Sequence, residues 1–567
     1  MQSVLIVLMG VAGMAFGWFV YSRFIAEKIF RLDPDFVTPA HEINDGVDYV
    51  PTNKFVLWGH HFTSVAGAAP IVGPAIAVYW GWVPAVLWVT LGTIFFAGVH
   101  DAGALWASNR HKGKSIGALS EAVVGKRTRE LFMVVVFLVL LMVNAVFGVV
   151  IARAFVATPT AVVPSWAAIL VALVIGQLVY RKFNLLALSL GGVIALYLSV
   201  YAGSVVPMEL PELFGLSTIS GWIVILFIYA ATASMLPVWM LLQPRDFING
   251  LQLFVGLFLL YGAVFLVMPD ISAPAFNSRV DADAPSMLPL LFVTIACGAV
   301  SGFHGIVSSG TSSKQLDKEP DARFVGYLGA VGEGSLALIT IVAVSGAALA
   351  ATPEIWHQVY DKFGTAGAES FIKGGANLIT EGFGLPLGFS TTLLATMVVL
   401  FAGTTMDTGV RLQRYIIQEW GQIYKIPVLN NNIVATLVAV SACMLLAFGA
   451  GGPDGAGGLV IWPLFGSTNQ ILAGLTLLVI SVMLIKLGRP ARYTLIPMAF
   501  VLLMSSWAAV VSLIDFYRAG NWLLVFIDVV VLVTSVMAIM ESIGAIARFR
   551  RENPLTTTAS GSDREVR

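Results

Sequence analysis

Apolar runs about twenty residues long alternate with short polar joints along almost the whole chain. Fifteen such segments lie near 2–22, 56–79, 83–107, 131–156, 164–180, 184–204, 219–242, 247–268, 287–309, 324–350, 386–407, 431–449, 459–485, 493–514 and 521–545. About 20 residues of α-helix cross a hydrocarbon core, whereas a transmembrane strand needs only about ten residues with a period of two. The pattern predicts an all-α, polytopic transmembrane bundle of about fifteen spans. Residues 1–550 form one transmembrane domain, and the polar tail 551–567 is expected to be a disordered cytoplasmic end. The outside loop 351–385 is expected to lie on the membrane as an amphipathic element. The stretch "WPLFGSTNQ", 462–470, is expected to break its span.

Composition sharpens this reading. Of 567 residues, 58% are hydrophobic and only 11% charged, against about 25% charged in a soluble domain; the mean hydropathy is +0.87. The N-terminal stretch lacks a basic region and a small-residue cleavage site, and is expected to be retained as a span. With the N-terminus outside, 27 of the 32 lysines and arginines fall in inside loops or the tail, and only Arg153, Arg279, Lys362, Lys373 and Arg518 fall outside. That asymmetry matches the positive-inside bias and sets the C-terminus in the cytoplasm. Cys297 and Cys443 lie in apolar segments and form no CxxC motif, so packing is their expected role. No basic, aromatic-rich cluster suggests nucleic acid.

Two segments break the helical pattern. "GHHFTSVAGAAPIVGPA", 59–75, opens on His60 and His61, and Gly67, Pro70, Gly73 and Pro74 interrupt it. "ACGAVSGFHGIVSSGTSSKQL", 296–316, combines His304 with glycines and a run of hydroxyls. Backbone freed inside lipid must be buried in protein or face a cavity, and transporters use such discontinuous helices as binding sites. Tight packing of small residues is the alternative. The two segments fall in the second and ninth spans, an odd seven apart, so they cross in opposite directions, as in an inverted-topology repeat. The candidate substrate-binding residues are His60, His61, Ser64, Gly67 and Gly73 from the first segment. From the second come Ser301, His304, Ser308, Ser309 and Thr311, and Asn469 is added from "WPLFGSTNQ".

Ionisable groups at membrane depth are costly and are therefore functional candidates. Asp101 (beside His100), Glu333 and Asp407 are the candidate proton carriers, with structural hydrogen bonding the competing reading. Asp528 and Glu541 lie in the last span without evident polar company. Asp407 and Arg411, at i and i+4, are expected to pair as a structural salt bridge or as a gate of the inside mouth, and Arg245–Asp246 in "QPRDF" is expected to cap or latch a helix. No cofactor or metal is expected: "GHHF" is not a metalloprotease motif, and adjacent helical histidines point about 100° apart. Haem would need facing histidines, for which only His100 and His304 offer themselves.

At these residues the chain resembles the carbon starvation protein A family of bacterial and archaeal inner-membrane transporters. The matching stretches are "YVPTNKFVLWGHHFTSVAGAAPIVGPAIA", "LPVWMLLQPRDF", "CGAVSGFHGIVSSGTSSKQL", "WPLFGSTNQILAG" and, more loosely, "MDTGVRLQRYIIQE". The resemblance covers about residues 30–485, leaving 486–550 as additional C-terminal spans. It implies secondary active uptake of a small nutrient, pyruvate or short peptides, by proton symport under carbon limitation. By the same resemblance His60, His61, Asp101, His304, Glu333 and Asp407 fall at polar positions of the family pattern. The alternatives from another class are a passive channel and a membrane-embedded nutrient sensor.

Overall fold

A computed structural model describes residues 2–46, 48–212, 215–237, 239–280, 284–364, 366–451 and 457–552; beyond Glu552 the polar tail lies outside them. Among the described residues there is no β-strand beyond two isolated bridges. Among the described residues thirteen helices are long and apolar enough to cross a membrane, and a bent pair supplies a fourteenth candidate. The remaining segment of the fifteen, 287–309, is two short helices around a non-helical turn. The count therefore sits at thirteen to fourteen helical spans plus this interrupted segment, rather than fifteen alike.

The elements that carry the site are α1 (Lys54–Val65), α2 (Ala69–Trp80), α3 (Trp82–Asn109), α4 (Lys126–Ala157) and α5 (Thr218–Met235). They continue with α6 (Leu242–Val267), α7 (Met287–Thr294), α8 (Gly302–Gly310), α9 (Arg323–Ser345), α10 (Leu387–Ile423) and α11 (Val460–Lys486). Burial sorts them: α11 is 94% buried, while Ala187–Val205 is 28% buried. The former is a central helix and the latter a lipid-facing one. Helix α11 is mostly apolar, and its polar side chains, Ser467 to Gln470, Thr476 and Ser481, are buried inside the bundle.

Helix α11 is also where a sequence expectation fails. It runs unbroken through Pro463, so "WPLFGSTNQ" does not interrupt the span. The hydroxyls turn back on their own helix: Ser467 donates to the Pro463 carbonyl (2.9 Å) and Thr468 to that of Leu464 (2.7 Å). Neighbouring helices and Ser/Thr side chains let a transmembrane helix carry a proline without breaking. The loop 351–385 is likewise different from expectation. Its helix Ala368–Phe383 is amphipathic, but its apolar face packs on α2, α6, α9 and α10.

Both predicted breaks are present. Helices α1 and α2 are bent by 50°, with Pro70 in the first turn of α2, where its missing N–H costs least. Between α7 and α8 the chain leaves the helix and makes a turn closed by the Val300 N–H on the Ala296 carbonyl (2.9 Å), in which Gly298 adopts a φ of +95° that favours glycine. The two broken segments meet: a Cβ on Gly73 would lie 2.3 Å from the Thr294 carbonyl oxygen, and one on Gly298 would lie 3.5 Å from Pro70. His61 bonds Ser312. Position numbers rise along one partner as they fall along the other, so the two segments run antiparallel.

Candidate functional site

The second break is held open by side chains. Trp88 donates its indole N–H to the Phe292 and Ile295 carbonyls (3.2 and 3.3 Å), and Trp462 donates to that of Thr294 (3.3 Å). Gln470 donates to Phe292 (2.7 Å) and Thr93 to Gly298 (3.3 Å). Asn469 accepts the Phe303 backbone N–H at 2.9 Å and donates to Ser301 at 3.0 Å. Asn469 thus caps α8 in the manner of a helix N-cap, and Ser301 is engaged with it. Every one of these partners comes from α3 or α11, so the break is a built feature rather than a frayed helix.

A chain of ionisable side chains runs beside it. Asp101 accepts from His100 Nδ1 through Oδ1 at 2.7 Å, and Oδ2 lies 2.8 Å from His304 Nδ1. The other ring nitrogen of His304, Nε2, is 3.1 Å from Glu333 Oε2. All four side chains are buried. They come from three elements: α3, where a π-turn over Thr93–Ala97 directly precedes His100, then α8 and α9. His304 thus presents one ring nitrogen to each of two carboxyl groups, and an imidazole can donate to both only when both of its nitrogens carry a proton. The His304–Glu333 contact is buried. The haem arrangement of His100 and His304 is not what forms; Asp101 lies between them. Among the described residues no group of three or more His, Cys, Asp or Glu is arranged to hold a metal ion.

The neighbouring histidines divide. His61 is buried against this chain, with Nδ1 2.9 Å from Ser312 Oγ and its ring beside Gly329. His60 is 27% exposed and lies 3.9 Å from Asp246. Ser64, one turn on, is also partly exposed and donates to the His60 carbonyl at 2.8 Å. Gly67 packs against Thr405 and Phe147. In α8, Ser309 donates to Gly305 (2.6 Å), whereas the buried Ser308 hydroxyl has no partner, and Thr311 is a half-buried cap. Gly73 holds the two breaks together.

Asp407 takes a partner that helical spacing did not show. It pairs with Arg245 of α6, and Tyr229 of α5 donates to the same carboxylate oxygen at 2.8 Å. Arg245 also donates to Tyr229 at 2.7 Å. Arg411, the expected i+4 partner, instead donates to the carbonyls of Ala233 (3.1 Å) and Leu236 (2.6 Å) at the end of α5. Arg245 and Asp246 are therefore part of a buried cluster and not a simple turn latch. Glu541 is not isolated either, since Arg127 reaches it at 3.1 Å. Asp528 is buried with neither oxygen bonded.

The comparison that decides the family is a match to the carbon starvation protein CstA model over residues 2–355 and 346–508. The chain belongs to the CstA family. A CstA peptide transporter of Campylobacter jejuni is 32% identical over 92% of this chain and 81% of that protein. The pyruvate/proton symporter BtsT of Escherichia coli K12 is 31% identical over 86% of this chain and 78% of its own. Among solved structures, a mutant manganese transporter of Eremococcus coleocola superposes with a TM-score of 0.51 at 12% identity, over 89% of this chain and 99% of that one. That likeness is one of fold. This CstA-family chain is a multi-pass membrane transporter, not an enzyme.

Proposed function

We propose that this protein imports a small carboxylate nutrient, pyruvate ahead of short peptides, by proton symport across the inner membrane. The observation that carries the reading is the buried chain Asp101–His304–Glu333 beside the second break. A proton on that chain can be taken up and given back as the helices around it move. A carboxylate with no mobile proton would serve structure alone. Asp407 is the third candidate proton carrier. The antiparallel broken segments act as inverted halves around the substrate route, in keeping with the use of discontinuous helices in transporters. His60, Ser64, Ser308 and Thr311 are the residues of the proposed route with a free or partly exposed polar group. The N-terminus lies outside and the C-terminus in the cytoplasm, on the strength of the lysine and arginine distribution.

Uptake of labelled pyruvate and labelled alanylalanine into proteoliposomes, with an inward proton gradient, tests this. Accumulation of either that stops when a protonophore collapses the gradient supports symport and names the substrate. Saturation-free flux with measurable current means a channel. Binding without flux means a sensor.

A further inference from the structure

The structure assigns to Arg245 the role of anchor for the substrate's carboxylate, with Asp407 as the resident acid on the same guanidinium that takes up a proton when this carboxylate binds. The inference rests on the transport reading above and names its binding group. Arg245 is 2% exposed, and its Nη1 is spent on Asp407 and Tyr229. Its Nε and Nη2 have no hydrogen-bond partner, and neither does Asp407 Oδ1. On that edge Asp246 Oδ1 lies 3.8 Å from Nη2, an ion pair without a hydrogen bond. The Nε–Nη2 edge of a guanidinium is a planar fork that matches a carboxylate with two parallel bonds. A buried fork left unmade is costly, so its free edge marks a place for an incoming anion.

Space adjoins it. Arg245 and Tyr229 line a cavity of about 30 Å³ with Ile151, Trp166, Leu226 and Gly403. That holds a water or two or an acid head, not a whole nutrient. Unfilled space lies beside Gly403, where a Cβ would meet nothing within 4 Å. A ligand would seat its carboxylate on the fork and keep the rest beside Gly403. The apolar lining suits a short aliphatic tail. Both a monocarboxylate and the C-terminus of a peptide supply this chemistry.

Sharing the guanidinium links binding to a proton. With the ligand on the Nε–Nη2 edge and Asp407 on Nη1, two buried carboxylates face one cation, an unfavourable state that protonation of Asp407 relieves. The ligand's negative charge and one proton then enter together, and the cluster's net charge is unchanged. The charged and titratable groups facing the exchange are Arg245 and Asp246 on α6, Tyr229 on α5, Asp407 and Arg411 on α10, and His60 on α1. Arg411 stays on the α5 carbonyls, so it does not replace Arg245. Since binding takes up a proton, affinity falls as pH rises, by up to about tenfold per unit.

The test is equilibrium binding of labelled pyruvate and of labelled alanylalanine to the purified full-length protein in detergent, in mildly acid and mildly alkaline buffer. The wild type should bind at least one probe, more tightly in acid. R245Q should bind neither at any pH while eluting as a single species, and D407N should bind with no pH dependence. If R245Q does not fold, R245K decides, because an ammonium cannot make the fork and should bind more weakly. Wild-type affinity in R245Q or R245K, wild-type pH dependence in D407N, or a folded wild type that binds neither probe would overturn the assignment. E333Q separates the two readings: it should keep this binding while losing gradient-driven uptake. Unchanged uptake in E333Q would count against Glu333 as the proton carrier and leave the anchor standing.

Discussion

His60 and His61 are neighbours in the chain and serve different clusters. His60 lies 3.9 Å from Asp246, on the side of Arg245 and Asp407, whereas His61 sits 2.9 Å from Ser312, on the side of Asp101 and His304. Successive helical residues point about 100° apart, so one turn of α1 spans both groups. This explains why a membrane segment carries two adjacent ionisable rings. It also gives a prediction. His61→Ala removes a fully buried ring and strands Ser312, so it should lower stability by about 1–3 kcal/mol. His60→Ala, at a partly open position, should cost less than half as much. Thermal unfolding of the two variants in one detergent checks the order.

The Asp101–His304–Glu333 chain predicts a separation of stability from coupling. Asp101→Ala leaves two buried imidazoles without their shared acceptor, and loss of one partner from a buried ionic pair costs about 3–5 kcal/mol. Glu333→Gln keeps the shape and loses the ionisable group. It should unfold near the wild-type temperature and still exchange substrate across the membrane at equal pH, yet fail to concentrate it under a gradient. Parallel exchange and uptake assays on the same proteoliposomes show whether the two activities part.

The crossing of the broken segments rests on backbone contact that only glycine permits. A Cβ at Gly73 would stand 2.3 Å from the Thr294 carbonyl oxygen, a backbone atom that cannot rotate away. Gly73→Ala should therefore destabilise by about 1–3 kcal/mol or more and impair transport. Gly388→Ala, where a Cβ meets nothing within 4 Å, should be neutral or slightly stabilising, since alanine is the better helix former. Comparing the two unfolding temperatures isolates the contact from the loss of flexibility.

Much of the fold was legible because lipid imposes a length and a polarity that a sequence cannot hide. The apolar runs, and the two segments rich in glycine beside histidine, reappear as the helices and the breaks. The ionisable residues His304, Asp101 and Glu333 were visible as exceptions to apolarity, but not their order. That order depends on a π-turn in α3 and on contacts more than two hundred residues apart. Asp407 shows the limit best. Spacing within one helix pointed to Arg411, while the actual cation, Arg245, is 162 residues away. Asn469 misled in the opposite sense: a polar cluster with a proline looked like a break and proved to be the cap of the break opposite it.

Sidedness is open to a labelling test. With the N-terminus outside, Lys362 faces outward and Lys114 inward, and both are exposed. Cys297 and Cys443 are buried, so a new surface thiol should dominate the signal. Lys362→Cys should react with a membrane-impermeant maleimide in intact cells, and Lys114→Cys only after permeabilisation. The reverse pattern inverts the topology.

The most direct measurement of proton symport follows both solutes at once, in liposomes without a pH gradient that trap a pH-sensitive dye. Adding pyruvate outside should acidify the lumen of wild-type liposomes faster than that of empty ones, in step with labelled pyruvate entry, and Glu333→Gln should abolish the excess acidification. Pyruvate entry with no acidification beyond the empty-liposome rate would contradict the account.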